Sequence, residues 1–203
     1  MRLRLAVLLL LAFCLATIPA IAQTDLYDNG PTNGTVDAWT INFGFDVHDS
    51  FILASNSTVN GLNFAAWLSP GDVLESAEVS ITQYALGGTT YFDQQVNFTQ
   101  TGCVLNQYEY NVCNESGSFP GVAMNAGSYW LTLQNAVVNT GDPVYWDENS
   151  GPSQAINGSE GTIPSESFTI LGGTGTTPEP SSVMEFGSGI LGAIGFARRK
   201  FFR

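Results

Sequence analysis

The fold class is decided by the segment Trp39-Thr40-Ile41-Asn42-Phe43-Gly44-Phe45-Asp46-Val47, in which apolar and polar residues alternate. A period of two residues predicts a strand with one buried face and one exposed face. The residues expected on the buried face are Trp39, Ile41, Phe43, Phe45 and Val47. The segment therefore predicts a half-buried strand near the start of a β domain.

The same alternation recurs along the chain, in residues 62–68, 77–82 and 129–133, and turn-forming residues separate these segments. Many short strands of this kind predict an all-β domain, either an antiparallel β-sandwich or a jelly roll. Its expected limits are residues 23–171, and a flexible Gly/Thr-rich linker is expected over 172–177. Trp67 lies out of phase with its apolar neighbours, which predicts that it points to the outer face of its strand.

The first residues of the chain have the order of a secretory signal. Arg2 and Arg4 precede an apolar run over residues 5–15, and the small-residue pattern Ala20-Ile21-Ala22 follows. This order is typical of a signal peptide helix that is removed after export. We expect the signal to occupy residues 1–22, with cleavage between Ala22 and Gln23.

The last residues have three parts in a fixed order. Pro178-Glu179-Pro180 comes first, an apolar Gly-rich stretch over 183–197 follows, and Arg198-Arg199-Lys200 come near the end. A helix over 183–197 would span roughly 22 Å, which is short of the ~30 Å hydrocarbon core of a bilayer. The basic residues would hold its end on the cytoplasmic side. Such a segment suits a temporary anchor in the inner membrane, although an ordinary tail anchor has the same hydropathy.

This three-part order over residues 178–203 resembles the PEP-CTERM sorting signal. The resemblance implies cleavage by an exosortase-type membrane protease, followed by delivery to the cell surface or the extracellular matrix. It also implies a Gram-negative host that makes exopolysaccharide. The body that precedes the signal looks like others that accompany it, but no activity is attached to that likeness.

Charge is distributed unevenly along the chain. All six Lys and Arg residues lie at or before Arg4 or at or after Arg198. Of the 18 acidic residues, only Glu179 and Glu185 lie in the tail, which leaves 16 in the domain. Nucleic acid is excluded as a partner, because phosphate binding needs Lys or Arg. Each carboxylate must be solvated, hydrogen-bonded to a neutral donor, or bound to a metal ion.

Two cysteines remain after removal of the signal, Cys103 and Cys113. An even pair in an exported chain predicts a disulfide. Closing a loop of this size would stabilise the fold by roughly 3 kcal/mol.

The sequence offers no recognisable catalytic set, and we expect the protein not to be an enzyme. His48 is the only histidine, and no Gly-x-Ser-x-Gly turn accompanies it. Zinc sites need several Cys or His residues. A glycosidase with paired carboxylates is permitted by residue type, but the sequence selects no pair.

The densest polar cluster is the loop over residues 141–152. It holds three carboxylates, Asp142, Asp147 and Glu148, which are candidate ligands for calcium. The alternative is a solvated acidic loop in which Asp and Asn form turns. Trp146 in the same loop, together with Trp67, is a candidate for stacking against a sugar ring. No other cofactor is predicted.

These observations order three hypotheses for the function. The leading one is a non-enzymatic protein of the cell surface or extracellular matrix. The second is a glycan-binding module with polysaccharide as its partner and calcium as a candidate cofactor. The third is a carbohydrate-active enzyme, which would require a deep cleft lined by two carboxylates.

Overall fold

A computed structural model describes residues 23–174, which form an all-β unit with no helix. Twelve strands follow one another along this part of the chain. They are β1 (Thr24–Asp28), β2 (Ala38–Thr40), β3 (Asp46–Leu53), β4 (Ser57–Leu68), β5 (Leu74–Tyr84), β6 (Gly87–Leu105), β7 (Asn111–Met124), β8 (Gly127–Val138), β9 (Tyr145–Asp147), β10 (Ala155–Asn157), β11 (Gly161–Ile163) and β12 (Phe168–Thr174).

The strands form one curled antiparallel sheet in the order β1-β12-β4-β7-β6-β5-β8-β3-β10-β11. β6 joins the two halves of this sheet. Its first part, Gly87 to Asn97, pairs with β5, whereas its second part, Phe98 to Leu105, pairs with β7. β9 lies off this path, where it pairs with both β2 and β4. The predicted all-β, antiparallel class is therefore confirmed.

The core lies between the two halves of the curled sheet. Tyr27 of β1 and Phe51 of β3, whose strands lie far apart in the strand order, have ring centroids 6.2 Å apart. Phe64 of β4 packs edge-on against Phe98 of β6 at 5.2 Å. The inward positions of β4, β5 and β8 are buried as their alternation predicts; they include Leu62, Phe64, Ala66, Leu68, Ala77, Val79, Ile81, Tyr129, Leu131 and Leu133.

The segment 39–47 does not form the single strand that its alternation predicts. β2 ends at Thr40, a turn follows, and β3 begins at Asp46. The N–H of Phe45 donates to the carbonyl of Asn42 at 3.1 Å, and Phe43 and Gly44 have φ angles of 56° and 87°. The turn places Phe43 and Phe45 at the surface, 63% and 43% exposed. The prediction that they are buried is wrong, because alternation also arises where a tight turn interrupts a strand.

The end of the domain differs slightly from the expected limit at residue 171. β12 continues to Thr174, and its last residues pair with Ser57 to Val59 of β4. The signal peptide, its cleavage site between Ala22 and Gln23, and the sorting tail all lie outside the described residues. Within residues 23–174, no helix has the length and apolar character needed to cross a membrane.

Candidate functional site

An open groove of about 380 Å³ lies where β4, β9 and the β6–β7 hairpin meet. We call it the aromatic groove. Four aromatic side chains line it, and Val36, Asp37 and Ala38 form its other wall. The aromatic residues are Trp67, Tyr108, Tyr110 and Tyr145.

The aromatic rings contact one another around Trp67. Tyr108 stacks on Trp67 with centroids 5.7 Å apart and an angle of 23° between the ring planes. Tyr110 lies 6.2 Å from Trp67 and meets Tyr145 edge-on at 5.5 Å. Tyr108 is 51% exposed, whereas Trp67 is only 5% exposed. The tyrosines therefore supply most of the aromatic surface that a ligand can reach.

The strand alternation of β4 explains why Trp67 points here. Ala66 and Leu68 face the core, so Trp67 emerges on the outer face, as its phase predicts. There it packs with Ala65 and Val112 in a small second apolar cluster. Tyr110 and Tyr145 pack against the outer side of this cluster, so the floor of the groove is a set of closely packed apolar side chains.

Asp147 lies beneath the groove and connects its two walls. Its Oδ1 accepts hydrogen bonds from the indole Nε1–H of Trp67 and from the backbone N–H of Gly34, both at 2.7 Å. Its Oδ2 accepts from the N–H of Asn33 at 2.8 Å. Burial raises the pKa of this carboxyl, and the hydrogen bonds from Trp67, Asn33 and Gly34 oppose that rise. One buried side chain thus orients Trp67 and holds the loop that leads to Asp37.

The tip of the β6–β7 hairpin is tied to the same loop. Asn106 Nδ2 donates to the carbonyl of Gly34 at 3.1 Å, and Gln107 Nε2 donates to the carbonyl of Thr35 at 2.8 Å. Asn106 Oδ1 also accepts from the backbone N–H groups of Tyr108 and Tyr110, each at 3.0 Å. These contacts fix the two tyrosines opposite the wall formed by residues 36–38.

A disulfide between Cys103 and Cys113 closes the base of this hairpin, as the sequence predicts. Cys113 is buried in the core, whereas Cys103 lies at the surface. The bridge joins β6 to β7 on the core side of the tyrosine-bearing tip. It therefore holds together the two strands that present Tyr108 and Tyr110.

A further carboxyl, Glu148, lies near Asp37 of the groove wall. Glu148 accepts a hydrogen bond from the Nε1–H of Trp39 at 3.1 Å. Its pKa is raised by burial and, to a lesser extent, by the negative charges of Asp37 and Asp147. Asp37 itself is exposed on the wall of the groove. The groove consequently lies in a negative field.

A second group of carboxyls lies deeper in the domain. The backbone N–H of Glu166 donates to Asp49 Oδ2 at 2.7 Å, and both side chains are fully buried. Asp49 Oδ1 and both carboxyl oxygens of Glu166 have no hydrogen-bond partner among the described residues. Burial raises the pKa of Asp49 to about 6, and burial together with Asp49 raises the pKa of Glu166 well above its ordinary value. Burial and the neighbouring charges therefore favour the neutral form of Glu166.

The three candidate calcium ligands do not come together. Asp142 is exposed on the loop before β9, whereas Asp147 and Glu148 are buried and accept hydrogen bonds from protein N–H groups. Over residues 23–174, no group of three or more His, Cys, Asp or Glu side chains is arranged to hold a metal ion. The predicted acidic loop thus uses Asp147 and Glu148 as hydrogen-bond acceptors.

Trp146 lies in the core and not at the surface where a sugar could reach it. Its side chain is 0% exposed and packs edge-on against Phe64 and Phe168, at 6.0 and 5.6 Å. Its Nε1–H donates to the carbonyl of Ser167 at 2.9 Å. The loop sequence suggested exposure, but pairing of β9 with β4 turns Trp146 inward and Tyr145 outward.

His48 makes a local network on β3. Its Nδ1 lies 2.7 Å from Thr132 Oγ1, and its Nε2 lies 2.9 Å from Asp46 Oδ2. These contacts join His48 to β8 and to Asp46, the first residue of β3. They give His48 a structural role near the start of β3.

Sequence reasoning identified Trp67 but missed Asp37, Tyr108, Tyr110 and Tyr145. Tyr108 and Tyr110 flank Glu109 at a hairpin tip between the two cysteines, and this unused Tyr-Glu-Tyr motif is the signal that could have identified them. Tyr145, which lines the groove, is the sequence neighbour of Trp146, the residue that the sequence favoured.

No protein-family model matches the chain, and a search of curated proteins found no significant match.

Proposed function

We propose that this chain is an exported, non-enzymatic protein of the cell surface or extracellular matrix, whose β domain binds a glycan in the aromatic groove. The observation that carries the proposal is the arrangement of Trp67, Tyr108, Tyr110 and Tyr145 around one open groove. Aromatic faces pack against the apolar CH face of a sugar ring, while phenol hydroxyls and nearby carbonyls bond its hydroxyl groups. The groove volume lies within the usual range for small-ligand sites.

Binding is favoured over catalysis by the carboxyl groups that face the groove. Canonical glycoside hydrolysis requires two carboxyl groups on either side of the scissile bond. Asp37 is the carboxylate on the groove wall, while Asp147 and Glu148 lie below it and accept hydrogen bonds from indole N–H groups. This arrangement supports a site that holds a sugar chain without cleaving it.

The proposed location rests on the two ends of the chain. The signal over residues 1–22 would direct export, and the tail over 178–203 would be removed by an exosortase-type protease. The processed protein would then reach the surface or matrix of an exopolysaccharide-producing Gram-negative cell. Mass spectrometry of the mature protein tests this route, which requires an N-terminus at Gln23 and loss of the basic C-terminal residues. A mature mass that retains Arg198 to Arg203 would contradict it.

We further propose that the curled sheet is a jelly-roll-like β-sandwich. The support is the passage of β6 from one half of the sheet to the other, together with contact between Tyr27 and Phe51. A crystal structure tests this proposal through the packing of the two halves face to face.

Glycan binding is tested by affinity electrophoresis of the protein through gels that contain neutral, amine-bearing or acidic polysaccharides. Retardation by at least one polysaccharide is expected. Tyr108→Ala should abolish most of it, because alanine substitution of a stacking aromatic costs about 1–3 kcal/mol. Tyr84→Ala is the matched control, because Tyr84 is 61% exposed and lies on β5, outside the groove. Equal behaviour of the two variants would contradict the proposed site.

A further inference from the structure

We infer that the ligand of the aromatic groove is a cationic saccharide, whose sugar units carry free amino groups. This inference rests on the proposed glycan-binding function and specifies the chemical class of its ligand. Two features of the site support it: the carboxylate of Asp37 on the groove wall, with buried carboxyls nearby, and the aromatic side chains that line the groove. A third is the lack of Lys and Arg in residues 23–174.

Asp37 places a carboxylate directly on the wall of the groove. The side chain is exposed, and its Oδ1 accepts a hydrogen bond from the N–H of Ala38 at 2.8 Å. The carboxylate keeps further lone pairs for a ligand. An ammonium group bound to the Asp37 carboxylate would form a charge-assisted hydrogen bond, which is stronger than the hydrogen bond that a neutral hydroxyl would form there.

The carboxyls below the groove strengthen the attraction for a cation. Glu148 lies close enough to both Asp37 and Asp147 for their negative charges to act on it, and Asp147 accepts a hydrogen bond from the indole of Trp67. Electrostatic interactions in such a partly buried site are screened less than those in bulk water. The aromatic groove therefore favours positive over negative ligands.

No side-chain cation in the domain opposes this field. Residues 23–174 contain no Lys or Arg. The single histidine, His48, lies on β3 and its ring contacts Asp46 and Thr132. A polysaccharide of uronic acids would find no positive partner and would be repelled by Asp37. This excludes the acidic class of polysaccharide as a favourable ligand.

The aromatic rings suit an amino sugar in two ways. A sugar ring can stack on Tyr108, whose exposed fraction is 51%. An ammonium group near the faces of Tyr110 or Tyr145 gains a cation–π attraction. An N-acetylated sugar retains the stacking but loses both the cation–π attraction and the charge pairing with Asp37.

The test compares three oligosaccharides of equal length: glucosamine oligomers with free amines, their N-acetylated counterparts, and oligomers of uronic acids. Titration calorimetry is carried out at mildly acidic pH, where the amines are charged, and at physiological salt. The free-amine oligomer should bind the protein about tenfold more tightly than the N-acetylated one, which corresponds to about 1.4 kcal/mol. The uronic acid oligomer should bind least.

Matched variants separate local recognition from general attraction between opposite charges. Asp37→Asn should reduce the preference for the free-amine oligomer over the N-acetylated one to within about threefold. Asp93→Asn removes the same charge from an exposed site on the part of β6 that pairs with β5, so it should preserve the preference. Spermine provides a cation without a sugar ring, and it should bind more weakly than the glucosamine oligomer.

The outcomes distinguish this inference from the proposed function. If the N-acetylated oligomer binds as tightly as the free amine, or if Asp37→Asn and Asp93→Asn behave alike, the inferred ligand class is wrong and glycan binding stands. If spermine binds as tightly as the glucosamine oligomer, recognition of a sugar is overturned. If no oligosaccharide binds, both proposals fail.

Discussion

The indole Nε1–H of Trp67 and the Oδ1 atom of Asp147 are joined by a buried hydrogen bond of 2.7 Å. The same carboxylate accepts the N–H groups of Asn33 and Gly34, which precede the opposite wall of the aromatic groove. Asp147 thus holds Trp67, at the base of the groove, at a fixed distance from the loop that contains Asn33 and Gly34. Its own side chain is fully buried and inaccessible to a ligand.

Replacement of Asp147 by Asn should destabilise the fold and weaken ligand binding together. The amide NH₂ cannot accept, so at least one of three N–H donors loses its partner, at a cost of about 1–3 kcal/mol. Urea unfolding followed by tryptophan fluorescence measures the loss. Asp142→Asn is the control, since Asp142 is exposed and should change stability by no more than about 0.5 kcal/mol. Similar losses in the two variants would contradict the role of Asp147.

The stability of the domain should fall as pH rises through neutrality. Glu115 is fully buried on β7, its two carboxyl oxygens have no partner among the described residues, and burial raises its pKa from 4.5 to about 8. The folded protein therefore binds this proton more tightly than the unfolded chain does. The contribution of Glu115 to stability is full below its unfolded pKa and is lost as pH rises through the folded pKa.

Glu115→Gln isolates this effect, because the amide does not ionise. The free energy of unfolding of the unaltered protein should fall by at least about 1 kcal/mol between about pH 5 and about pH 8, and the variant should show a clearly smaller fall. Asp49 and Glu166 also have raised pKa values, so some pH dependence in the same direction should remain. Parallel pH profiles for the two proteins would show that Glu115 does not titrate in this range.

Removal of the disulfide should loosen the groove as well as the fold. The bridge between Cys103 and Cys113 closes the hairpin that presents Tyr108 and Tyr110. The Cys103→Ser, Cys113→Ser double variant should lose about 2–4 kcal/mol of stability. Thermal unfolding with and without a reducing agent provides the measurement. Reductant should lower the Tm of the unaltered protein and leave that of the double variant unchanged; an unchanged Tm in both would contradict a stabilising bridge.

Replacement of Phe43 by glycine should increase the stability of the protein. Phe43 has a φ of 56° and a side chain that is 63% exposed, so an L residue with a large side chain is strained there. Phe43→Gly should raise the free energy of unfolding by up to about 1 kcal/mol, because relief of strain exceeds the entropy that glycine adds to the unfolded chain. Phe45→Gly is the control and should show no gain. Denaturant unfolding of both variants gives the comparison.

The sequence was most informative where one strand face is buried without interruption. The alternation in β4, β5 and β8 predicted their buried residues and placed Trp67 on the outer face. It failed at residues 39–47, where Phe43 and Phe45 keep the alternation through a turn with positive φ angles. A hydrophobicity pattern records only the spacing of apolar residues and contains no information about the direction of the backbone.

The candidate site was largely beyond sequence reasoning. Asp37, Trp67, Tyr108 and Tyr145 lie far apart along the chain and meet only because β9 pairs with β4 and the β6–β7 hairpin folds over the same edge. Tyr145 and Trp146 are neighbours on β9, so their side chains point to opposite faces of the strand. Trp146 faces the core, where its larger apolar surface is buried, and Tyr145 faces outward. The aromatic content of the loop was recognised, but the pairing that orients it was not.

The course of β6 has a consequence for how the domain can come apart. This 19-residue strand pairs with β5 along its first part and with β7 along its second. The two halves of the sheet can therefore separate only if β6 loses its hydrogen bonds to β5 or to β7. Tension applied at the β6–β7 hairpin would pass through β7 into this shared strand. The two halves therefore resist separation as one unit.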